Sequence, residues 1–172
     1  MKKPVLIIIR GNSGSGKSTI AKRLQRELDY GTALIQQDVV RGEILRVHET
    51  PNNPSDALMD MIARFSKERG YDVIVDGIFR RKKHGDWLLK LIEDWEGPVF
   101  VYYLDIPFEE TLKRHMTKPN AHEFGEKEMR EWWAEHDYLG ADGEIIITHE
   151  PSADEIVARI FRDVEQNGES NG

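Results

Sequence analysis

The sequence predicts an α/β fold in which a five-stranded parallel sheet is covered by helices on both faces, a three-layer sandwich. Short runs rich in branched and aromatic residues alternate with longer amphipathic segments along the chain, the pattern of parallel strands joined by helical crossovers. Two runs, at 71–76 and 98–104, are almost continuously hydrophobic, which is typical of central strands buried on both faces. At 172 residues the chain has the length of one domain.

The individual elements follow from this alternation. Strands are predicted at about 4–10, 32–36, 71–76, 98–104 and 143–148. Helices are predicted at about 17–29, 38–47, 55–69, 85–95, 107–117, 125–136 and 152–166. We expect one domain over 1–166, with a small helical lid at about 114–136, and a flexible tail over 167–172.

Two of these helices carry apolar stripes at helical spacing, which we expect to face the core. The third helix has the stripe Leu58, Met61, Ile62 and Phe65. The fourth has Trp87, Leu88, Leu91 and Trp95, in which the tryptophans are interpreted as packing residues.

Composition restricts the function classes. A net charge of −7 and a pI near 5.4 give no overall field that would attract a long polyanion, so small or short substrates are favoured. The absence of cysteine excludes disulfides, thiolate metal sites and thiol nucleophiles, and suits a cytoplasmic location. No apolar run approaches membrane-spanning length, so no membrane association is expected. The oligomeric state stays open.

Residues 11–18, GNSGSGKS, match the pattern G-x-x-x-x-G-K-[ST] between a predicted strand and a predicted helix. Glycines allow the backbone amides to converge on an anion at the positive end of the following helix. We therefore expect a nucleoside triphosphate, with Lys17 at its β and γ phosphates and Ser18 on Mg²⁺. A glycine-rich turn of chance composition is the alternative. The residues expected to bind the nucleotide are Gly11, Asn12, Ser13, Gly14, Ser15, Gly16, Lys17, Ser18 and Thr19.

Asp76 ends the run Val73-Ile74-Val75, so its carboxylate is expected at the carboxyl edge of a central strand, where open α/β sheets bind ligands. Beside the phosphate loop it would hold Mg²⁺ directly or through water. A helix cap or turn role is the alternative.

Asp38 follows the second predicted strand, and Arg41 lies three residues later on the same face of a helical segment. Asp38 can accept the proton of an attacking hydroxyl while Arg41 binds and orients the acceptor. A phosphate acceptor would meet like-charge repulsion from Asp38, so the pair favours a hydroxyl acceptor. Alternatively, Asp38 is a helix N-cap and Arg41 a surface charge.

Arg114 and Lys118 stand four residues apart on a helix that Pro119 ends. The polar stretch 117–125 that follows can form a lid, and its cations would neutralise charge on a transferred phosphoryl group. A solvated basic face is the alternative.

Three further groups have weaker signals. Roles at the substrate stay open for Arg80 to Lys83, against a solvated loop, and for Trp132 and Trp133, against packing. The six histidines lack His-x-x-x-His pairing, so structural or surface roles are expected rather than metal binding.

With residues 11–18, Asp38, Arg41, Asp76 and the segment 114–118 in this order, the chain resembles the P-loop kinases that phosphorylate hydroxyl groups. These include polynucleotide 5′-kinase, chloramphenicol phosphotransferase, zeta toxins and small-metabolite kinases, and the stretch 102–133 looks most like small bacterial kinases. The resemblance implies a P-loop kinase fold, ATP with Mg²⁺, a catalytic Asp-x-x-Arg matching Asp38 and Arg41, and a lid whose basic residues correspond to Arg114 and Lys118. Lys118 stands where arginine is usual, and it loses the two-pronged hydrogen bonding of a guanidinium.

The leading hypothesis is an ATP-dependent phosphotransferase acting on a small-molecule hydroxyl, with Lys17, Asp38, Arg41, Arg114 and Lys118 as catalytic residues and Ser18 and Asp76 as metal ligands. A polynucleotide 5′-hydroxyl kinase acting on a short nucleic-acid end and a non-catalytic ATP sensor are the alternatives. A GTPase switch is disfavoured because the segment 76–79 reads Asp-Gly-Ile-Phe rather than Asp-x-x-Gly.

Overall fold

The predicted five-stranded parallel sheet is present in the computed structural model, which describes residues 2–119 and 121–170. Its strands are β1 (Leu6–Gly11), β2 (Thr32–Gln36), β3 (Asp72–Gly77), β4 (Val99–Leu104) and β5 (Ile145–Ile147). Their order across the sheet is β2-β3-β1-β4-β5, and every neighbouring pair is parallel. The strands interpreted as central, β3 and β4, flank β1 on either side, as the hydrophobic runs predicted.

Helices connect the strands and cover both faces of the sheet. They are α1 (Lys17–Glu27), α2 (Ser55–Glu68), α3 (Arg81–Glu93), α4 (Phe108–Met116), α5 (Glu126–Trp132) and α6 (Ala153–Ser170). The helix predicted at 38–47 is a π-helical segment, Val39–Ile44.

Other boundaries also differ from the prediction. Helix α3 begins at Arg81 rather than at 85, and α5 ends at Trp132 rather than at 136. Helix α6 continues to Ser170, past the predicted end at 166. Asn171 and Gly172 of the expected tail lie outside the described residues.

Alternate side chains of β1 build a core on each face of the sheet, because successive strand residues point to opposite sides. Ile7 and Ile9, together with Val5 just before the strand, pack with α1 and α6. Leu6 and Ile8 pack with α2 and α3. All five side chains are fully buried, so the phosphate loop that follows β1 starts from the centre of the core.

The interpretation of the α2 stripe as a core face is wrong for two of its four residues. Leu58 and Ile62 are partly buried against the core, but the side chains of Met61 and Phe65 are 67% and 56% exposed. Small side chains let α2 approach the sheet closely, and this turns the larger residues outward. The buried face consists of Ser55, Met59, Ala63 and Ser66.

The second stripe is confirmed as a packing face. Leu88 and Leu91 are fully buried and Trp95 nearly so. The ring of Trp87 packs edge-on against that of Phe79, with centroids 5.6 Å apart.

Parallel strands bring three polar segments to one edge of the sheet. In the register, Asp76 of β3 lies beside Ile9 of β1 on one side and Gln36 of β2 on the other. The loop after β1 and the segment after β2, which begins near Asp38, therefore flank Asp76 at the carboxyl edge, where the sequence predicted a site.

Candidate active site

The loop between β1 and α1 has the backbone geometry of an anion cradle. Gly14 and Gly16 have φ angles of +79° and +93°, which side chains with a Cβ rarely adopt. A Cβ on Gly14 would also lie 2.6 Å from the carbonyl oxygen of Thr111. Gly16 directly precedes the first turn of α1, so the free amides of that turn open into the loop.

Two buried polar groups in this loop lack strong partners in the protein. The hydroxyl of Ser15 is buried and makes no hydrogen bond within the described residues. The ammonium of Lys17 is buried and donates to the carbonyl oxygen of Asn12 at 3.3 Å. Buried polar groups are normally hydrogen-bonded, so these groups fit a loop that binds an anionic ligand such as the phosphates of ATP.

The electrostatics of Lys17 reveal which charges meet at the site. Burial lowers the pKa of Lys17, the negative charges of Asp38 and Asp76 act against that shift, and the positive charge of Lys118 adds to it. Four residues that the sequence proposed for the site therefore lie close enough to interact, although they come from four segments of the chain.

Ser18 and Asp76 form a pair suited to a hard cation. The Ser18 hydroxyl donates to Oδ1 of Asp76 at 3.2 Å, and the side-chain amide of Gln36 donates to Oδ2 at 2.8 Å. Burial raises the pKa of Asp76, and Lys17 and these two hydrogen bonds only partly oppose it. Asp76 is hydrogen-bonded to the loop side chain rather than serving as a helix cap.

The described residues contain no group of three or more His, Cys, Asp or Glu side chains that could hold a metal ion. Oxygen ligands from Ser18 and Asp76 fit Mg²⁺, because this ion keeps waters and takes few protein ligands beside substrate phosphates.

Asp38 lies at the start of the π-helical segment, but its side chain makes no capping hydrogen bond. Its carboxylate is 70% exposed, and Oδ1 lies 3.6 Å from Nη2 of Arg41. The carboxylate is thus largely open to solvent.

Arg41 belongs to a network that sequence reasoning missed. Its guanidinium pairs with the carboxylate of Glu49. Glu49 also meets Nε2 of His84 at 3.1 Å, and Nδ1 of His84 meets Asp56 at 2.7 Å. These residues come from separate segments without motif spacing, so no local signal identified them; His84 was expected only to have a structural or surface role.

Of the two cations proposed for the lid, Arg114 lies on the phosphate loop. Arg114 donates from Nη1 to the carbonyl oxygen of Ser15 at 2.9 Å, and its Nε lies 3.3 Å from Glu110. A Cβ on Gly16 would lie 3.3 Å from the same Nη1 atom. Arg114 therefore contacts the loop instead of forming a free basic face.

Aromatic packing joins the two helices of the proposed lid. His115 is buried, donates from Nε2 to the carbonyl oxygen of Phe124 at 2.6 Å and stacks on the ring of Phe124. Trp132 packs against Phe124 in turn. The ring of Trp133 packs against Phe108. Both tryptophans thus pack against phenylalanine rings, Trp132 on Phe124 and Trp133 on Phe108.

The basic run Arg80 to Lys83 is the start of α3 and its preceding residue rather than a loop. Arg81 donates from Nε to the carbonyl oxygen of Leu139 at 3.0 Å. Its side chain thus ties α3 to the segment that leads into β5.

Comparisons with known proteins agree with this geometry. A family model described as an AAA domain matches residues 6–139. The APS kinase CysC of Mycobacterium tuberculosis, solved in complex with AMPPNP and APS, has a TM-score of 0.75 at 19% identity, covering 96% of this chain and 99% of that one. A gluconokinase from Sinorhizobium meliloti has a TM-score of 0.67 at 17% identity, covering 99% and 97%. These likenesses confirm the predicted P-loop kinase fold.

Two further matches are partial. A uridine kinase of Clostridium botulinum (strain Langeland) is 54% identical over 39 residues, which are 22% of this chain and 19% of that kinase. The chain thus matches about a fifth of the length of the curated relatives. A chain of the Pnkp1/Rnl/Hen1 RNA repair complex has a TM-score of 0.59 at 18% identity, covering 76% of this chain and 43% of that one.

Among the described residues, no helix is long and apolar enough to span a membrane.

Proposed function

Since the chain belongs to the AAA domain family and has the fold of kinases, we propose that it is an ATP-dependent phosphotransferase that moves the γ-phosphate of ATP to a hydroxyl of a small molecule. The observation that carries this proposal is the buried Lys17 of the phosphate loop next to the hydrogen-bonded pair Ser18 and Asp76, with the exposed carboxylate of Asp38 near enough to act on Lys17. A phosphate-binding cation, a metal-binding carboxylate and an exposed carboxylate beside them are the parts that phosphoryl transfer needs.

On the donor side, the phosphate loop would hold ATP through its backbone amides and through Lys17. Ser18 and Asp76 would hold Mg²⁺, which when bound neutralises charge on the phosphate oxygens. Lys17 is positioned before any ligand arrives, because its side chain is buried at the start of α1, while its ammonium makes only a long hydrogen bond to Asn12 and stays available to a phosphate. Such preorganisation lowers the cost of binding charge in the transition state.

On the acceptor side, Asp38 would take the proton of the attacking hydroxyl. Its carboxylate is exposed and near enough to Lys17 to influence it, so an acceptor between the two would have its oxygen next to both a base and the phosphoryl group. Arg114 and Lys118 would stabilise the charge on the transferred group from the lid at about 114–136, within a single domain over 1–166. A cysteine-free nucleotide-dependent enzyme suits the cytoplasm.

The experiment is transfer of label from γ-labelled ATP with Mg²⁺ to a panel of sugars, nucleosides, hydroxyl-bearing antibiotics and 5′-hydroxyl oligonucleotides. Asp38→Asn should lower transfer by about 10² to 10⁴ while leaving ATP binding nearly intact. Asp142→Asn, a change of the same kind in an exposed turn, is the matched control and should transfer normally.

The outcomes separate the candidates. Label in oligonucleotides alone would favour the 5′-hydroxyl kinase. This candidate is retained because the fold is similar to that of a chain of the RNA repair complex. Tight ATP binding with no labelled product would favour the ATP sensor. Full transfer by Asp38→Asn would remove Asp38 from its role as base.

A further inference from the structure

The guanidinium of Arg41 is already occupied by carboxylates. It pairs with Glu49, and Oδ1 of Asp38 lies 3.6 Å away on its other side. The side chain of Arg41 is 26% exposed and that of Glu49 31%. An acceptor that approaches Asp38 therefore meets an arginine whose charge is neutralised, rather than a free cation.

His84 holds Glu49 in this position from the side opposite Arg41. Nε2 of His84 lies 3.1 Å from its second carboxylate oxygen, and the other ring nitrogen of His84 lies 2.7 Å from Asp56. The side chain of His84 is 6% exposed, and its ring packs edge-on against Phe79. A buried ring with a carboxylate on each nitrogen has little freedom to rotate, so Glu49 is fixed against Arg41.

The protonation states agree with this geometry. Burial raises the pKa of Glu49, but Arg41 and His84 outweigh burial and the net pKa is lowered. Burial lowers the pKa of His84, but Asp56 and Glu49 outweigh it and the net pKa is raised. Glu49 is thus held as a carboxylate against the guanidinium of Arg41, and the raised pKa of His84 favours the protonated ring as its second partner.

The balance of charge around Arg41 disfavours an anionic acceptor. A phosphate, sulfate or carboxylate on the acceptor would have to displace Glu49 from Arg41. Glu49 and the incoming anion would then compete for one guanidinium beside Asp38, and repulsion between like charges at such distances in a partly buried site is costly. An uncharged polyol, sugar or nucleoside meets no such repulsion, and its hydroxyls can be held by the carboxylates.

We propose that Glu49, held by His84, masks the charge of Arg41 and makes the acceptor site select uncharged hydroxyl compounds over anionic ones. Glu49 is then a specificity-determining residue and His84 a positioning residue. This inference rests on the proposed function, because it assumes that the acceptor approaches Asp38.

The first test compares pairs of acceptors in which one member is uncharged and the other is anionic: adenosine with its 5′-phosphate, and glucose with gluconate. The wild type should transfer to the uncharged members. Glu49→Gln should raise the ratio of kcat/KM for anionic over uncharged acceptors by about tenfold or more, since each tenfold step needs only a modest change in interaction energy. Glu43→Gln, an exposed change in the same segment, is the matched control.

Two further variants identify the residues that act. Adding Arg41→Gln to Glu49→Gln should abolish the gain, because the gain depends on a freed guanidinium. His84→Gln should shift the same ratio in the same direction while leaving the KM for ATP unchanged, an effect that general loss of structure would not give. An unchanged ratio in Glu49→Gln, or a wild type that prefers the anionic members, would overturn the proposal.

A second measurement does not depend on turnover. The Nε–H resonance of Arg41, assigned by its loss in Arg41→Lys, is titrated with sodium sulfate in protein saturated with ADP and Mg²⁺. Sulfate should move this resonance in Glu49→Gln at concentrations about tenfold below those needed in the wild type. Equal titrations would overturn the masking even if the protein is a kinase. If no acceptor is labelled by any variant, the proposed function fails while this titration still decides whether Glu49 masks Arg41.

Discussion

The side-chain amide of Asn12 makes a two-way hydrogen bond with the backbone of Ala134. Its Nδ2 donates to the carbonyl oxygen of Ala134 at 2.7 Å, and its Oδ1 accepts from the amide of Ala134 at 3.1 Å. Asn12 belongs to the phosphate loop, and Ala134 follows the end of α5 by two residues. The exit of the proposed lid is therefore fixed to the loop, so any lid movement has to pivot on this side.

Removing this connection should loosen the phosphate loop. Asn12→Ala leaves a backbone donor and acceptor of Ala134 without partners, so we expect the free energy of unfolding to fall by about 1–3 kcal/mol. Asn12→Asp places a carboxylate oxygen against the carbonyl oxygen of Ala134 where Asn12 has a donor, so it should lower the free energy of unfolding at least as much as Asn12→Ala. Urea unfolding of the three proteins measures this; an unfolding free energy of Asn12→Ala equal to that of the wild type would show that the connection contributes nothing to stability.

The hydrogen bonds between Asn12 and Ala134 also explain why the end of α5 was predicted wrongly from the sequence. The phosphate loop, the five strands and the central position of β3 were predictable, because glycine spacing and hydrophobic runs are local signals. Helix α5 was predicted to run to 136 because the sequence there is compatible with a helix. It ends at Trp132, whose successor is extended with a ψ of 133°, because Asn12, 122 residues away in the chain, engages the backbone of Ala134.

The candidate site likewise contains residues that local sequence patterns predict and contacts that only the tertiary packing determines. Lys17 and Ser18 were proposed from the phosphate-loop pattern. Asp38 and Asp76 were proposed because they stand at the ends of predicted strands, which meet at one edge of a parallel sheet. The contact between Glu49 and His84 was not predictable, because it depends on how the loop that carries Glu49 folds against α3, which carries His84. The buried face of α2 was predicted wrongly for another reason. Periodicity alone does not tell which of two partly apolar faces of a helix packs against the sheet, and in α2 the packed face is the one with the small residues Ala63 and Ser66.

Loss of the loop lysine should affect binding and chemistry together. In the proposed function, Lys17→Ala removes a cation that would contact phosphate in both the ground state and the transition state, so nucleotide affinity and turnover should both fall. Calorimetric titration with ATP and the labelled-transfer assay measure the two effects. Intact turnover in this variant would contradict the assignment of the phosphate loop.

The carboxylate of Asp76 is predicted to destabilise the ligand-free protein although it is needed for the proposed Mg²⁺ site. Because burial raises its pKa, its stabilising contribution is present below the ordinary pKa of 3.8 and is lost as pH rises through the raised value. At neutral pH the ionised carboxylate therefore destabilises the ligand-free protein, and Asp76→Asn should raise its Tm.

The same variant should lose most of its Mg²⁺-dependent turnover and most of the Tm increase that Mg²⁺ and ATP give the wild type. Thermal unfolding with and without these ligands tests both effects. Asp142→Asn serves as the exposed control, and a ligand-free Asp76→Asn protein that melts below the wild type would refute the argument.

His84 should make stability depend on pH in a defined window. Its pKa is raised above the ordinary 6.5, so its contribution is fully present below that value and is lost as pH rises through the raised pKa. The free energy of unfolding of the wild type should therefore exceed that of His84→Gln most at about pH 5.5 and progressively less towards about pH 8.5. Asp56→Asn, which removes one carboxylate partner, should reduce the pH dependence; a difference that is constant across the range would exclude His84 as its source.

Arg10 should contribute far more to stability than an exposed arginine with an equally direct ion pair. Its side chain is fully buried, and it donates from Nη2 to the carbonyl oxygen of Phe79 at 2.7 Å and to the carboxylate of Asp137 at 2.9 Å. Burial lowers the pKa of Arg10, and the negative charges of Asp137 and Glu144 only partly oppose this shift. Arg10→Met would leave the Phe79 carbonyl and a largely buried carboxylate without their cation.

We therefore expect Arg10→Met to lower the free energy of unfolding by about 3–5 kcal/mol. Arg23→Met, which removes an exposed partner of Asp154, should change it by roughly 0.5 kcal/mol or less. Adding Asp137→Asn to Arg10→Met should recover part of the loss, because the unpaired charge is then removed. Equal losses for the two arginines would mean that burial adds nothing to the pair. No recovery in the double variant would assign the loss to the contact with Phe79, and thus to the anchoring of the loop between β3 and α3 rather than to charge.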